Sequence, residues 1–324
     1  MIRLHLKSSL TYFRRGRHWL RSRRCRAASS ASIEKWSLLV LAPAICICFS
    51  SGARCAGPQG AKAGANPAAA PVNVQRLVHN MIYNQLQEMR HPKHLYQYTH
   101  REVDPGSSET TVEIETLEGM AARLTQVNEN PPTEKRCRQN RKHLHRIVSS
   151  PRLARQKLKD QQEDVERREE LFEALPQASL FQYDGIEKGT GWIRLKYRPN
   201  PAFRPRRRVG GVLQGLEGTM WVDPSSQHLV KIDGRLVNTV SFGWGILAKL
   251  YPGGHFVMEQ KQLPDGAWRL TMLDVSFHGV ILLVKKLNVN MKEIYNSFEE
   301  VPDNFTLAQA VERLDRIPVK CGKP

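Results

Sequence analysis

The stretch that decides the fold is residues 218–237, GTMWVDPSSQHLVKIDGRLV, which predicts a β-hairpin. Apolar and polar side chains alternate before and after the turn formers Asp223-Pro224-Ser225-Ser226. Alternation with a period of two is typical of a strand that buries one face, and Asp, Pro and Ser favour a turn between strands. The hairpin therefore predicts a sheet with one apolar face that other parts of the chain must cover.

Strand-like segments recur on both sides of this hairpin and predict a meandering antiparallel sheet. Pro- and Gly-rich turns separate most of them. Besides the hairpin, the predicted strands are 95–100, 111–116, 120–127, 180–183, 191–198, 241–250, 255–263, 267–278 and 280–291. Residues 280–284, VILLV, are apolar on both faces, which predicts a strand covered on both sides or facing an apolar interior. Gly279 is the predicted site of the tightest reversal.

Three segments predict helices that accompany this sheet. Residues 73–89 carry an apolar stripe at helical spacing, which favours a helix facing the core over one lying on a membrane. Residues 133–174 are dense in charge and predict one or two exposed helices, and 307–314 predicts a short one. The predicted fold is mainly β with α: a curved antiparallel sheet wrapped around the helix of residues 73–89, which acts as a plug, plus a charged helical section at 133–174.

The positive charge of the chain is concentrated near its start. The 324 residues carry a net charge of +18, and residues 1–53, with ten Lys or Arg and one Glu, account for +9 of it. This basic segment contains the apolar run 36–49, WSLLVLAPAICICF, which is shorter than the about 20 residues that span a bilayer and is typical of an export signal. We expect cleavage near Ala53, a linker over 54–71, and a periplasmic or cell-envelope location. An uncleaved anchor is the alternative, and an exported protein is not expected to bind nucleic acid.

The sequence shows no arrangement that indicates catalysis. Metalloprotease, phosphate-loop and nucleophile-elbow motifs are absent, so we expect no enzyme activity, no cofactor and no metal. His143 and His145 are two apart, which on a helix turns them about 200° away from each other. After the expected signal, Cys55, Cys137 and Cys321 remain. Unpaired cysteines are the preferred interpretation, and one disulfide with a spare thiol is the alternative.

The hairpin residues GTMWVDPSSQHLVKIDG resemble the strand-turn-strand signature of bacterial outer-membrane lipoprotein-sorting proteins, the LolA-like superfamily. The matching positions are Gly218, Trp221, Val222, Asp223, Pro224 and Gly234. Residues 198–203, RPNPAF, and 242–245, FGWG, are similar to an uncharacterised branch of this superfamily found in envelope-rich bacteria. The resemblance covers about 72–316, within an expected single domain over 72–318 that is followed by a short tail at 319–324.

This resemblance implies a half-open β-barrel whose cavity holds acyl chains beneath a helical lid. Because a fold does not determine a function, the implied activity is an expectation. The chain is longer than a simple carrier, and no residue matches the carriers' functional arginine well; Arg101 is the candidate. We expect an exported, monomeric protein that binds a lipid or lipidated protein without chemistry. The alternative is a structural envelope protein of the same fold without a ligand.

Two sets of residues are the expected contacts of this ligand. Together with Arg101, the residues expected to line the cavity are Trp221, Phe256, Met258, Trp268, Leu273, Val275 and Phe277. Such strand residues more often serve ordinary core packing, but the long apolar strands outnumber the helices that could cover them, which favours a cavity. A cationic loop has two interpretations. Solvated charge is the default, and the functional alternative is contact with a membrane surface or lipid headgroups, at about 1 kcal/mol for each basic residue. The arginines of this loop are Arg204, Arg206, Arg207 and Arg208.

Overall fold

The expected sheet is present in a computed structural model that describes residues 72–205, 209–242, 248–282 and 285–322. The expected export signal and linker lie outside the described residues. Within the described part of the chain, strands dominate and a few helices accompany them. The prediction of a mainly antiparallel β protein with some helix is therefore confirmed.

Twelve strands of the described residues form one antiparallel sheet. They are β1 (Leu95–Asp104), β2 (Ser107–Thr116), β3 (Gly119–Val127), β4 (Ser179–Ile186), β5 (Ile193–Pro199), β6 (Leu216–Val222), β7 (Leu229–Leu236), β8 (Val240–Phe242), β9 (Ala248–Leu250), β10 (His255–Gln262), β11 (Trp268–Ile281) and β12 (Lys285–Val301). Ten of them lie in the order β3-β2-β1-β12-β11-β10-β7-β6-β5-β4, and β8 and β9 form a small hairpin attached to β11. Most neighbours follow each other along the chain, as short turns favour, and β12 returns to pair with β1.

The sheet is open, and helices join its two edges. β3 and β4 lie at opposite ends of the strand order, and α2 (Glu134–Ser149) and α3 (Pro151–Ala178) connect them. The charged section expected as an insertion is thus the connection from one edge of the sheet to the other. α1 (Val74–Arg90) precedes β1, and α4 (Leu307–Asp315) follows β12. In the described ranges no helix is both long and apolar enough to cross a membrane.

Each helix begins at a side chain that caps it. Asn73, Thr133, Ser150 and Thr306 each accept a hydrogen bond from the backbone N–H three residues further on. Pro151 follows Ser150 at the first helical position. A backbone N–H at this position would have no acceptor within the helix, so proline removes no helical hydrogen bond there. These caps depend only on neighbouring residues, so the sequence places the helix starts well.

α1 covers one face of the sheet, which we call the inner face. The apolar side of this helix is buried in the main core through Leu77, Val78, Met81, Ile82 and Leu86. Burying five such side chains contributes about 10 kcal/mol as an upper value. The same core contains Leu216, Met220 and Ile232, which share one face of the hairpin formed by β6 and β7. We call this pair of strands with its turn the opening hairpin.

The turn of the opening hairpin also holds α1 in place. Asn80 Nδ2 donates to Gln227 Oε1 at 2.7 Å, and Asn84 Nδ2 donates to the carbonyl oxygen of Ser226 at 3.0 Å. Asp223 shapes this turn, because its Oδ1 accepts the backbone N–H of Ser226 at 2.7 Å. The hairpin is therefore a part of the core and a docking site for the helix.

A second core lies at the β1–β3 end of the sheet, on the outer face, where α4 packs with α2 beside it. Its buried residues are Ile114, Ala121, Leu144, Ile147, Val301, Leu307, Ala310, Val311 and Leu314. At the β3 edge, Asn140 of α2 accepts the backbone N–H of Leu124 at 3.1 Å and donates to the carbonyl oxygen of Ala122 at 3.2 Å. Engaging these backbone groups protects the edge strand from pairing with another chain.

Two strand predictions are corrected by the structure. Residues 241–250 contain β8 and β9, which pair with each other, rather than one strand. Gly279 lies inside β11, where a Cβ atom would collide with the carbonyl oxygen of Lys249, so this glycine permits the close approach of β9. The chain reverses after Ile281, at Leu282 with a φ of +51°, and 280–291 is therefore not one strand.

Cys137 and Cys321 form a disulfide, which corrects the preference for unpaired cysteines. Their Cα atoms are 6.4 Å apart, and 184 residues separate them in the sequence. Gly322 exchanges two backbone hydrogen bonds, of 3.0 and 2.9 Å, with the segment that leads into α2. Cys55 lies outside the described residues. The disulfide thus ties the end of the described chain to the start of α2.

Removing this disulfide should lower the melting temperature. A cross-link that closes a long loop restricts the unfolded chain and contributes about 2–4 kcal/mol. For a domain of this size the expected loss is roughly 5–15 °C. Thermal denaturation followed by circular dichroism compares Cys137→Ser/Cys321→Ser with the matched control Cys55→Ser. Equal melting temperatures for the parent and both variants would contradict the pairing.

Candidate functional site

A row of neighbouring side chains on the inner face changes from apolar to acidic in the middle of the sheet. Crossing from β7 to β2, the row consists of Ile232, Met258, Leu273, Glu293, Glu102 and Glu109. Directly opposed residues of antiparallel strands project from the same face. Because Ile232 belongs to the core that α1 covers, the whole row projects inward. The inner face thus has an apolar half and an acidic half, which meet between β11 and β12.

The apolar half brings together five of the residues predicted to line a cavity. These are Phe256, Met258, Leu273, Val275 and Phe277. β12 adds Val289 and Met291, which lie opposite Phe277 and Val275. Val275 and Phe277 are buried, whereas the remaining side chains are only half-buried. These half-buried residues, which we call the apolar strip, are Phe256, Met258, Leu273, Val289 and Met291.

The strip is incompletely covered because α1 lies to one side of it. Among the strands, α1 has its main contacts with β4 and β7, whereas the strip is on β10–β12. One buried pair links α1 to β10: Gln260 Nε2 donates to Gln85 Oε1 at 2.7 Å. A half-covered apolar surface that continues a packed core is suited to bind an apolar ligand.

Trp268, also predicted as a cavity residue, is buried apart from the strip. Its ring stacks on His228 with 5.2 Å between the ring centroids. His228 belongs to the connection between β6 and β7, which holds α1. The structure therefore gives Trp268 a packing role beside the hairpin.

Trp221 and Arg101 lie on the outer face, which corrects their assignment to the cavity. Trp221 follows the fully buried Met220, so its ring projects to the opposite face, where Lys231 Nζ lies 5.5 Å from the ring centroid. Arg101 likewise projects away from the inner face and pairs with Glu129. Strand alternation separates two sets of side chains, but it does not say which set faces inward.

The cationic loop before the opening hairpin is only partly described. Arg204 is exposed, and its guanidinium donates to two carbonyl groups of its own loop at 2.8 and 3.0 Å. Arg206, Arg207 and Arg208 lie outside the described residues. The headgroup contact expected of this loop stays a prediction.

The acidic half is organised around a buried histidine. His100 is 6% exposed, and its Nδ1 lies 3.0 Å from Glu113 Oε1. The imidazole stacks on Tyr295 with 4.5 Å between centroids, and Thr111 Oγ1 donates to Glu113 Oε1 at 2.9 Å. Burial acts to lower the pKa of His100, but the hydrogen bond and charge of Glu113 outweigh it, so the pKa is raised.

α3 contributes Lys157 to this half of the face. Burial lowers the pKa of Lys157, and the charge of nearby Glu113 opposes the shift. For Glu113, burial acts to raise the pKa, but the hydrogen bond with His100 and the neighbouring positive charges hold it below its ordinary value. Glu113 is therefore ionised at neutral pH, and it engages both His100 and Lys157.

Glu102 and Glu293, which we call the acidic pair, stand beside the apolar strip. They oppose each other across β1 and β12, and Glu293 also opposes Leu273. Tyr295 Oη donates to Glu293 Oε2 at 2.6 Å. Within the described residues, the buried Oε1 of Glu102 has no hydrogen-bond partner. Burial, followed by the charges of Glu293 and Asp104, raises the pKa of Glu102 to about 7.

The sequence predictions missed the acidic half because two strands are longer than expected. β12 was expected to end at Met291, but its alternation continues through Glu293 and Tyr295. β1 was expected to end at His100 and instead reaches Asp104, which includes Glu102. The sequence does contain a signal for the longer strand: from 287 to 295, every second residue belongs to the same face of β12.

The histidine pair on α2 does not converge. His145 Nε2 lies 2.8 Å from Asp315 Oδ2. His143 is half-buried, and burial together with the charge of Lys157 lowers its pKa to about 4. Leu144, between them, is buried in the second core. Among the residues that the structure describes, no three His, Cys, Asp or Glu side chains are grouped to hold a metal ion.

Comparisons with family models, curated proteins and solved structures found no match to this chain. The interpretation of the inner face therefore depends on its own chemistry. That chemistry is an apolar strip, a carboxylate pair beside it, and a buried histidine oriented by a third carboxylate.

Replacing Glu102 by Gln should stabilise the protein more at pH 8 than at pH 5. The pKa of Glu102 is about 7 in the folded chain and 4.5 ordinarily. Between these pH values the native state therefore binds more protons than the unfolded chain, so the protein loses stability as the pH rises through 7. After a discount for partial solvent exposure, the pH-dependent gain in unfolding free energy is about 1–2 kcal/mol. Urea denaturation at both pH values measures it, with Glu299→Gln on the outer face as the control. A gain independent of pH would contradict the assigned environment of Glu102.

Proposed function

We propose that this protein is an exported binding protein that holds the acyl chain of a lipid or lipidated protein on the apolar strip, without chemistry. The observation that carries the proposal is that the strip residues are half-buried although they continue the main core. Each buried methylene of a chain contributes about 0.8 kcal/mol, so a surface of this kind retains a chain reversibly. Along β12, the inner-face residues from Leu287 to Glu293 span about 20 Å, at roughly 3.4 Å per residue.

We further propose that the fold is that of the LolA-like superfamily. The open meander, the amphipathic helix α1 on the inner face and the helices that connect the two edges support this assignment. The hairpin signature adds the Gly218 and Gly234 pair, which lie opposite each other on β6 and β7. A Cβ at Gly234 would collide with the Tyr197 hydroxyl, which gives this glycine a packing reason.

The Cys137–Cys321 disulfide supports an oxidising location such as the periplasm or cell envelope. Structural disulfides persist in exported proteins and are rare in the reducing cytosol. The export signal proposed for residues 1–53 is consistent with such a location. The proposal also includes a monomeric state, contact of the arginine loop with a membrane surface, and no binding of nucleic acid.

A structural envelope protein without a ligand is the second candidate. The observation that favours it is the tight packing of α1, because Met81 on the helix and Met220 on the sheet are both buried by the protein itself. If α1 can shift to cover β10–β12 as well, the strip needs no ligand. Ligand binding at the strip distinguishes the two candidates.

A charge placed in the strip should abolish acyl-chain binding. Leu273→Glu introduces a carboxylate where an acyl chain would lie, and burying that charge costs more than the chain gains, so affinity for the neutral probe 1-decanol should fall by more than about tenfold. Met258→Trp, which fills the strip without a charge, should also weaken binding and provides a variant that folds more readily. Leu117→Glu, at an exposed leucine, is the matched control.

The measurement is 1-decanol binding by calorimetry, together with native mass spectrometry of protein purified without detergent. We expect the parent protein to carry bound lipid. Both strip variants should lose this lipid, and Leu117→Glu should keep it. A parent protein that carries no lipid and takes up no 1-decanol would contradict acyl-chain binding and favour the structural candidate.

A further inference from the structure

The acidic pair lacks a salt-bridge partner in the part of the chain that the structure describes. Among the described residues, neither Glu102 nor Glu293 forms an ion pair, whereas the neighbouring Glu109 pairs with Arg136 at 2.7 Å. His100 and Lys157, which lie on this half of the face, both interact with Glu113. Two facing carboxylates without a counter-charge are costly in a partly buried place, and a positively charged group between them would relieve that cost.

His100 supplies a second, independent indication of a ligand at the same place. Its side chain is more than nine-tenths buried, and its Nε2 has no hydrogen-bond partner among the described residues. Nδ1 is directed at Glu113, which lies towards the start of β1, so Nε2 is on the other edge of the ring, on the side of Glu102. The charges of Glu293 and Glu102 act on His100, which agrees with this proximity. A buried polar atom without a partner is uncommon and indicates a missing polar contact.

The acidic pair adjoins the apolar strip directly. Glu293 opposes Leu273 of the strip and follows Met291 on the same face of β12. An alkyl chain lying on the strip would therefore bring its polar end to the two carboxylates. A phosphate or carboxylate headgroup would be repelled there, because Asp104 adds a third negative charge near Glu102. Arg168 of α3 is exposed, and its charge acts on Tyr295.

We propose that the acidic pair is a headgroup site for an amine, so that the ligand is an amine-bearing lipid whose alkyl chain lies on the apolar strip and whose ammonium group is held between Glu102 and Glu293. This inference rests on the proposed function, since it assigns the polar end of the same ligand. Ammonium N–H groups donate to the carboxylate oxygens, including the unpartnered Oε1 of Glu102. Charge-assisted hydrogen bonds of this kind are about twice as strong as neutral ones.

The test compares ligands that share a tail and differ in headgroup. Binding of decylammonium, decanoate and 1-decanol is measured by calorimetry at pH 8, where Glu102 is mostly ionised, with the full chain as it is purified. Methylammonium, which has no tail, tests whether the amine alone is recognised. The variants are Glu102→Gln/Glu293→Gln, which keeps the shape of both side chains, and Glu299→Gln as the control on the outer face.

We expect the parent protein to bind decylammonium about tenfold more tightly than decanoate. This preference should be lost in the double variant and kept in Glu299→Gln. Equal binding of all three ten-carbon probes would overturn the amine site and leave acyl-chain binding intact. Binding of none of them would overturn both. Methylammonium binding as tightly as decylammonium would show a site for small amines and overturn the lipid assignment. Circular dichroism of the double variant, which is expected to be at least as stable as the parent, establishes that it folds.

Discussion

The inner face of the open sheet has to be removed from water, and the packing of α1 on that face is the interaction on which the rest of the structure depends. An antiparallel sheet whose strands alternate cannot bury its apolar side by itself. Five aliphatic side chains of α1 complete the main core, and two asparagines fix the helix to the turn of the opening hairpin. The hairpin of residues 218–237 is thus the site at which α1 is attached to the sheet.

The candidate site exists because this cover is incomplete. α1 lies over β4 and β7, and α3 crosses from the β3 edge to the β4 edge, so that β10–β12 are left half-covered between them. The same strands carry the change from apolar to acidic side chains. A partly buried carboxylate such as Glu102 reduces stability when it is ionised. Residues that reduce stability in this way are commonly those that serve binding.

Much of the local structure was predictable from short-range patterns. The hairpin, the α1 stripe and the helix starts at Asn73 and Ser150 follow from alternation, helical periodicity and capping, all of which act within a few residues. Five apolar residues of the predicted cavity meet on one face for the same reason. Trp221 and Arg101 were assigned to that face wrongly, since alternation is symmetrical until something covers one side.

The sequence by itself determined the fold class, the order of the main elements and the amphipathic nature of the sheet and α1, because hydrogen bonding and side-chain periodicity are local properties of the chain. Only the tertiary structure decided which face is covered and where the cover ends. It also joined Cys137 to Cys321 and aligned Glu102 with Glu293, residues that are far apart in the chain. These outcomes depend on strand register and on the path of helices over the sheet. Both are set by packing between distant segments, which no short stretch of sequence contains.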